Sequence, residues 1–443
     1  MPRKYKAKNS LSRIAANVLG LGAIAFAAGA AQDAVAASLA PAVYYIDNSH
    51  PAASDKNAGT SPGAPWATLA PASAKALAPG DMISLKAGTS YDGALSIKSK
   101  GTAGAPITVN SYGYGAKPLI RGNPTVGSYA SAITLDKAQY VSIDGLALSS
   151  AAYSGVNISA SNNIVIQNNE IFNVGMGVNV GGQNNLITNN YFHDLKMVKN
   201  GGADSYGAVG VTLLAPNNEI SYNTCQRCIA PDTVNGYNGG MVELYGPVDN
   251  SYIHHNFAQD SDGFIEGGVG TANNVRIVYN VSYNNNGSFA CFHFSGNYAY
   301  TGTTSILVAN NTVVQNKTPA KSGGNLNYFE SPPTANSLVF VNNIFALDYV
   351  GAIYYSETTR RSNIYQMKAA GSHLLRNWSN ALGVGEMVAD PGFVDAASAN
   401  LRPSINSPAR GKAVLLDAVG ASDLARVPLP ASARDIGAYQ YQP

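Results

Sequence analysis

"NIVIQNN" (163–169) joins a short β-branched run to a pair of asparagines, and six further segments repeat the pattern. They are "NLITNN" (185–190), "NEISYN" (218–223), "SYIHHN" (251–256), "NVRIVYN" (274–280), "SILVANN" (305–311) and "SLVFVNN" (337–343). The apolar residues alternate with period 2, so one face of each strand is buried. Asparagine at a strand's end tolerates a left-handed turn and hydrogen-bonds backbone, and asparagines stacked in register form a ladder. The repeats run from about 134 to 355, and none can bury its apolar face alone. Stacked coils of two or three strands, with no helical pattern between them, predict a parallel solenoid.

Composition agrees. Only 12% of the 443 residues are charged, while glycine (45) and tyrosine (26) are abundant, which disfavours helix-rich and disordered chains. A net charge of +2 without a basic stripe gives no electrostatic case for nucleic acid, and no such partner is expected. Arg3, Lys4, Lys6, Lys8 and Arg13 precede the apolar run "IAANVLGLGAIAFAAGA", and "AVA" (34–36) supplies a cleavage site. The expectation is a signal peptide over 1–36, a mature chain in the periplasm or outside the cell, and no membrane span after cleavage. Cys225 and Cys228 form a CxxC without a second cysteine pair or a histidine pair at ligand spacing, so a local disulfide is expected there rather than zinc.

At the level of whole segments the chain resembles the right-handed parallel β-helix proteins of the pectate-lyase-like superfamily. "AGTSPGAPWATLAPASAKALAPGDMISLKAG" (58–88) is similar to the capping segment of secreted members, and "DPGFVDAASANLRPSINSPARGKA" (390–413) with "ARDIGAYQY" (433–441) to their closing strands. The resemblance implies an all-β, single-domain β-helix. Its cap and first coils would span 37–122, a core with the groove 123–356, and closing coils 357–443. It covers nearly all of the mature chain and is weak for function, because the superfamily includes lyases, hydrolases, epimerases and phage adhesins.

The strand before each asparagine strand carries the functional signal. These read "AITLD" (132–136), "GVNIS" (155–159), "GVNVG" (177–181), "GVTLL" (210–214), "MVELY" (241–245), "FIEGG" (264–268), "CFHFS" (291–295), "YFESP" (328–332) and "AIYYS" (352–356). With apolar neighbours pointing in, the central residues form an outward column: Thr134, Asn157, Asn179, Thr212, Glu243, Glu266, His293, Glu330 and Tyr354. Neighbouring parallel strands lie about 4.8 Å apart, so Glu243 and Glu266 stack as like charges that a purely structural sheet avoids. Either one carboxyl keeps its proton or a cation bridges the pair.

Two long connections, 191–208 and 224–240, enter beside this column, making Asp204, Asp232 and Tyr245 candidate substrate contacts together with Asn179, Thr212, Asp262 and Glu330. Tyr206, Tyr237, Tyr298 and Tyr300 are further aromatic candidates, whereas His254, His255 and His193 read as surface or turn histidines. The leading reading is a polysaccharide-degrading glycoside hydrolase with Glu243 and Glu266 as its carboxyl pair and His293 beside them, needing no metal or other cofactor. The signatures NxD, DD and GHG of polygalacturonases are absent. The alternative is a polysaccharide lyase, with His293 as base and Ca2+ held by the glutamates. A third reading is a non-catalytic carbohydrate-binding solenoid. The quaternary expectation is a monomer or a side-by-side homotrimer.

Overall fold

The computed structural model describes residues 40–443 apart from 126–128, 202–204, 303, 317–326, 330, 335, 349–351, 355–356, 369, 376, 378 and 418. The proposed signal peptide, Asp204 and Glu330 therefore lie outside the described residues. No helix among the described residues is long and apolar enough to cross a membrane.

From Pro41 onward the chain forms one contact unit built on three parallel sheets, which among the described residues number twelve, nine and twelve strands. Each central coil gives one strand to each sheet, as Ser154–Ser159, Val165–Gln167 and Glu170–Phe172 do in succession. Strands that neighbour one another in a sheet are parallel and separated by a full coil of chain. Right-twisted strands join through such connections in a right-handed sense, giving the right-handed parallel β-helix expected from the repeats. Strand Leu119–Arg121 pairs with Ala147–Ser149, and Leu338–Val341 with Thr359–Arg361, so coils continue across the boundaries at 122/123 and 356/357.

The interior is layered as the period-2 pattern requires. Ile143, Ile166, Ile187, Ile220, Ile253, Ile277, Val308 and Phe340 occupy successive rungs of one sheet, all fully buried. At the following corner runs the asparagine ladder Asn169, Asn190, Asn223, Asn256, Asn280, Asn311, Asn343 and Asn363. Each side-chain amide donates to the next carbonyl at 3.0 Å, and each backbone N–H up to that of Asn343 donates to the same oxygen at 2.8–3.0 Å. The polar groups of a buried corner are thereby paired from coil to coil.

The left-handed turn falls one residue earlier than the ladder. Asn168, Asn189, Tyr222, His255, Tyr279, Asn310, Asn342 and Ser362 all have φ between 52° and 58°. The three aromatic members form a stack of their own, Tyr222 on His255 at 4.8 Å and His255 on Tyr279 at 5.3 Å.

The capping segment contains the short helix Ala70–Ala74 and the strand Met82–Lys86, which pairs with Val43–Ile46. At the other end only part of the expected closing strands is present: Phe393–Asp395 and Asn400–Pro403 form an antiparallel hairpin, while 433–441 contains no strand. That segment instead lies back along the coils, with the Gly437 N–H donating to the Asn342 carbonyl and the Ala438 N–H to the Thr312 hydroxyl. Cys225 and Cys228 are joined as a buried disulfide.

Candidate active site

The nine-stranded sheet carries the outward column. Its register runs Ser96, Thr134, Asn157, Asn179, Thr212, Glu243, Glu266, Cys291 and Tyr328. The first six expected rungs, Thr134 to Glu266, therefore stand as read from the sequence. His293 does not share the rung of Glu266; that place belongs to Cys291, with His293 two residues further along and just past the strand's end. Two residues preserve parity, so both side chains rise on the same face. Tyr354 leaves the column altogether: it is fully buried, in a strand that pairs with His373–Leu375.

Glu243 and Glu266 are direct register partners, which sets their strands about 4.8 Å apart. Their surroundings differ. Glu266 has a side chain 45% exposed, and its Oε1 lies 3.1 Å from Nε2 of the nearly buried His293. Glu243 keeps an intermediate share of its surface open to the groove, yet protein surrounds most of it. Burial first, and the charge of Glu266 second, push its carboxyl up to about 7, against a hydrogen bond from Thr212 that favours the ionised form. Thr212 Oγ1 is 3.1 Å from Glu243 Oε2. Further along, the Asn179 amide donates to Asn157 Oδ1 at 3.0 Å, leaving a polar floor of Thr and Asn.

Aromatic residues wall both sides. Tyr129 and Tyr153 meet edge to face at 5.2 Å, and Tyr206 joins them. Burial raises the phenols of Tyr153 and Tyr206, neighbouring tyrosines add to this, and Glu243 is close enough to contribute. Beyond the carboxyl pair, Tyr245 lies two residues along the strand from Glu243 and packs against Tyr298 at 5.9 Å, with Tyr298 in turn 6.1 Å from His293.

The glycines after Glu266 make room for this wall. A Cβ on the inward-facing Gly267 would overlap the Tyr300 hydroxyl and sit 3.0 Å from the Phe292 ring. One on Gly268 would overlap the Tyr298 carbonyl and press on His293 at 3.1 Å. Larger residues at either position would expel the 294–301 segment that positions His293 and Tyr298.

The two long connections are hairpins, Met197–Lys199 with Tyr206–Gly207 and Ala230–Asp232 with Gly236–Asn238. Asp232 is buried inside them. Burial alone would raise its pKa, but bonds from the Val234 N–H, Ser205, Asn235 and Asn238 outweigh burial and hold it low. These bonds tie the two hairpins together around the carboxylate. Asp262 likewise serves a turn: its carboxylate accepts from the Asn286 amide in the next coil at 3.1 Å. His193 sits on a different sheet, between Glu170 and Asp194. Cys291, Tyr129 and Tyr153 lie along this groove and were not singled out from the sequence. "ACF" already placed Cys291 on the outward parity, but it lies two residues from the more conspicuous histidine.

A sequence family described as periplasmic copper-binding protein (NosD) matches residues 108–207, a stretch that ends before Glu243. A lacto-N-biosidase of Bifidobacterium longum subsp. longum is 39% identical over 118 residues, which is 25% of this chain and 7% of that protein. The chain thus spans a small fraction of that relative's length. Among solved structures, pectate lyase Pel9A superposes with a TM-score of 0.63 at 17% identity, covering 91% of this chain and 98% of the lyase. A GH136 lacto-N-biosidase from Eubacterium ramulus gives 0.56 at 15% identity, covering 79% and 67%. The likenesses to solved structures show a shared parallel β-helix fold.

Proposed function

We propose that the chain is an exported glycan-degrading enzyme, a retaining glycoside hydrolase in which Glu243 is the acid/base and Glu266 the nucleophile. One observation carries this reading: two carboxyls on adjacent rungs of one rigid sheet, one kept protonated near neutral pH by burial and the other open to the groove. Carboxyls about 5 Å apart suit a mechanism through a covalent glycosyl-enzyme. Glu266 attacks the anomeric carbon while Glu243 gives its proton to the departing glycosidic oxygen. Glu243 then takes a proton from water as that water cleaves the ester and frees Glu266. His293, facing Glu266 Oε1 through Nε2, is a positioning residue that fixes the nucleophile's orientation. Tyr129, Tyr153 and Tyr206 on one side and Tyr245 and Tyr298 on the other offer flat faces for sugar rings. The partial similarity to a lacto-N-biosidase supports hydrolysis.

The superposition on a pectate lyase keeps the elimination reading in view. Against it stands the column, which from Ser96 to Tyr328 contains no Lys or Arg to receive a uronate carboxylate. Calcium takes six to eight oxygen ligands. Here Glu243, Glu266 and Thr212 offer few oxygens, and one carboxylate is engaged by His293. A neutral glycan suits this groove better. Digestion of neutral and uronate glycans, followed for reducing ends and for unsaturated products with and without EDTA, separates the readings. Reducing ends without unsaturation, abolished in E243Q/E266Q, are expected; EDTA-sensitive unsaturated product would refute the hydrolase. A protein that binds glycans unchanged in that double variant would be a lectin.

A further inference from the structure

Glu266, Cys291 and His293 converge more tightly than nucleophile positioning requires. The carboxylate oxygen, the thiol sulfur and the imidazole nitrogen all lie within 4.8 Å of one another. His293 Nε2 is the shared vertex, 3.1 Å from Glu266 Oε1 and 3.8 Å from Cys291 Sγ. A tetrahedral ion with bonds of about 2.0–2.3 Å has ligand-to-ligand edges of roughly 3.3–3.8 Å, so one ion placed among these atoms meets all three with small adjustments. Two facing strands carry Glu266 and Cys291 as register partners, and His293 follows one residue after the second strand. The frame is set by backbone pairing rather than by a loop.

We propose that Glu266, Cys291 and His293 form a binding site for a single thiophilic divalent cation of the Zn2+ class. The donor set decides the class. One thiolate, one imidazole and one carboxylate suit a borderline-soft ion and poorly suit calcium or magnesium, which take oxygen ligands. Three protein ligands leave a fourth position for water. Binding exchanges a proton for metal: the Cys291 thiol proton passes to solvent, while His293 binds as neutral imidazole through the Nε2 lone pair with its ring proton on Nδ1. The ion also occupies the carboxylate that would attack the sugar, so its binding switches hydrolysis off; this consequence rests on the hydrolase reading, whereas the site does not.

The test uses full-length mature protein freed of metal by chelation. Zn2+ is titrated by equilibrium dialysis, and Co2+ is substituted so that thiolate-to-cobalt absorption in the near ultraviolet reports a sulfur ligand. With three cysteines in the chain and Cys225 tied to Cys228, that band is assignable to Cys291. One Zn2+ per chain and a thiolate band are expected. Cys291→Ser should lose the band and weaken Zn2+ binding by at least about 100-fold, at or beyond the upper end of the loss typical when only a supporting residue is removed. His293→Gln provides an independent ligand deletion should the serine variant fail to fold. Absence of stoichiometric binding, or equal Zn2+ affinity in folded Cys291→Ser and His293→Gln, would overturn the site. Zn2+ binding together with no hydrolysis of glycans by the metal-free protein would uphold the site and sink the hydrolase reading. Hydrolysis without binding would do the reverse.

Discussion

Glu266→Gln separates the two forces that hold the Glu243 proton. The substitution keeps the shape of the rung and removes one negative charge beside Glu243. At about 5 Å, two unit charges interact by about 0.8 kcal/mol in water-like surroundings and about 3 kcal/mol at an effective dielectric of 20. Glu266 is 45% exposed, so the lower part of that range applies. About 1 kcal/mol corresponds to roughly 0.7 of a pKa unit. Burial is the larger cause of the rise from 4.5 to about 7 and is untouched by the change. Glu243 in the variant should therefore titrate roughly 0.5–1 unit lower than in the wild type, still well above 4.5. Carboxyl-carbon NMR of glutamate-labelled protein, with Glu243→Gln assigning the resonance, reads this directly. Under the proposed hydrolysis the acid form of Glu243 is the active one, so the alkaline limb of the rate profile should fall near pH 7. A return of Glu243 to 4.5 would show that burial was not the dominant force. No movement at all would show that the two carboxyls are not neighbours.

Other consequences are equally specific. Asn256→Ala removes the acceptor of the Asn223 N–H and side-chain amide and the donor to the Ile220 carbonyl, a loss of about 2–4 kcal/mol visible as a lower urea midpoint; an unchanged midpoint would refute the ladder's role. The His255 imidazole, pushed down to about 4 chiefly by burial, binds a proton more weakly folded than unfolded. Its contribution is therefore complete above about pH 6.5 and fades as pH falls toward 4, by up to about 1.4 kcal/mol per unit. His255→Gln should flatten that part of the acid-unfolding curve, and an unaltered slope would exclude the residue as its source. Gly267→Ala should cost about 1–3 kcal/mol, because the Tyr300 hydroxyl and Phe292 ring must yield, and should lower turnover through His293; wild-type melting and rate would contradict the packing.

Sequence alone determined the solenoid. A strand of period 2 that ends on asparagine has one way to bury its apolar face and pair its corner amides, which is to stack on another like itself. The repeat therefore specified both the Ile143-to-Phe340 layer and the Asn169-to-Asn363 ladder. It also placed Glu243 beside Glu266, because outward parity and coil spacing survive wherever strands keep equal offsets. What it could not set was register after the loop lengthens. Nothing local to "ACFHF" says whether cysteine or histidine meets Glu266, since both share the outward parity; backbone pairing across the coil chose Cys291. Tyr354 turned inward for the same reason, once its strand left the sheet for another partner. Only tertiary structure decided that Asp232 is hydrogen-bonded within a hairpin, that Gly267 and Gly268 yield their space to a tyrosine-bearing segment, and that Glu243 is the carboxyl whose proton burial holds. Those outcomes depend on which groups remote in the chain arrive at a site, and the distances they set, not the identity of the residue, fix where a proton stays.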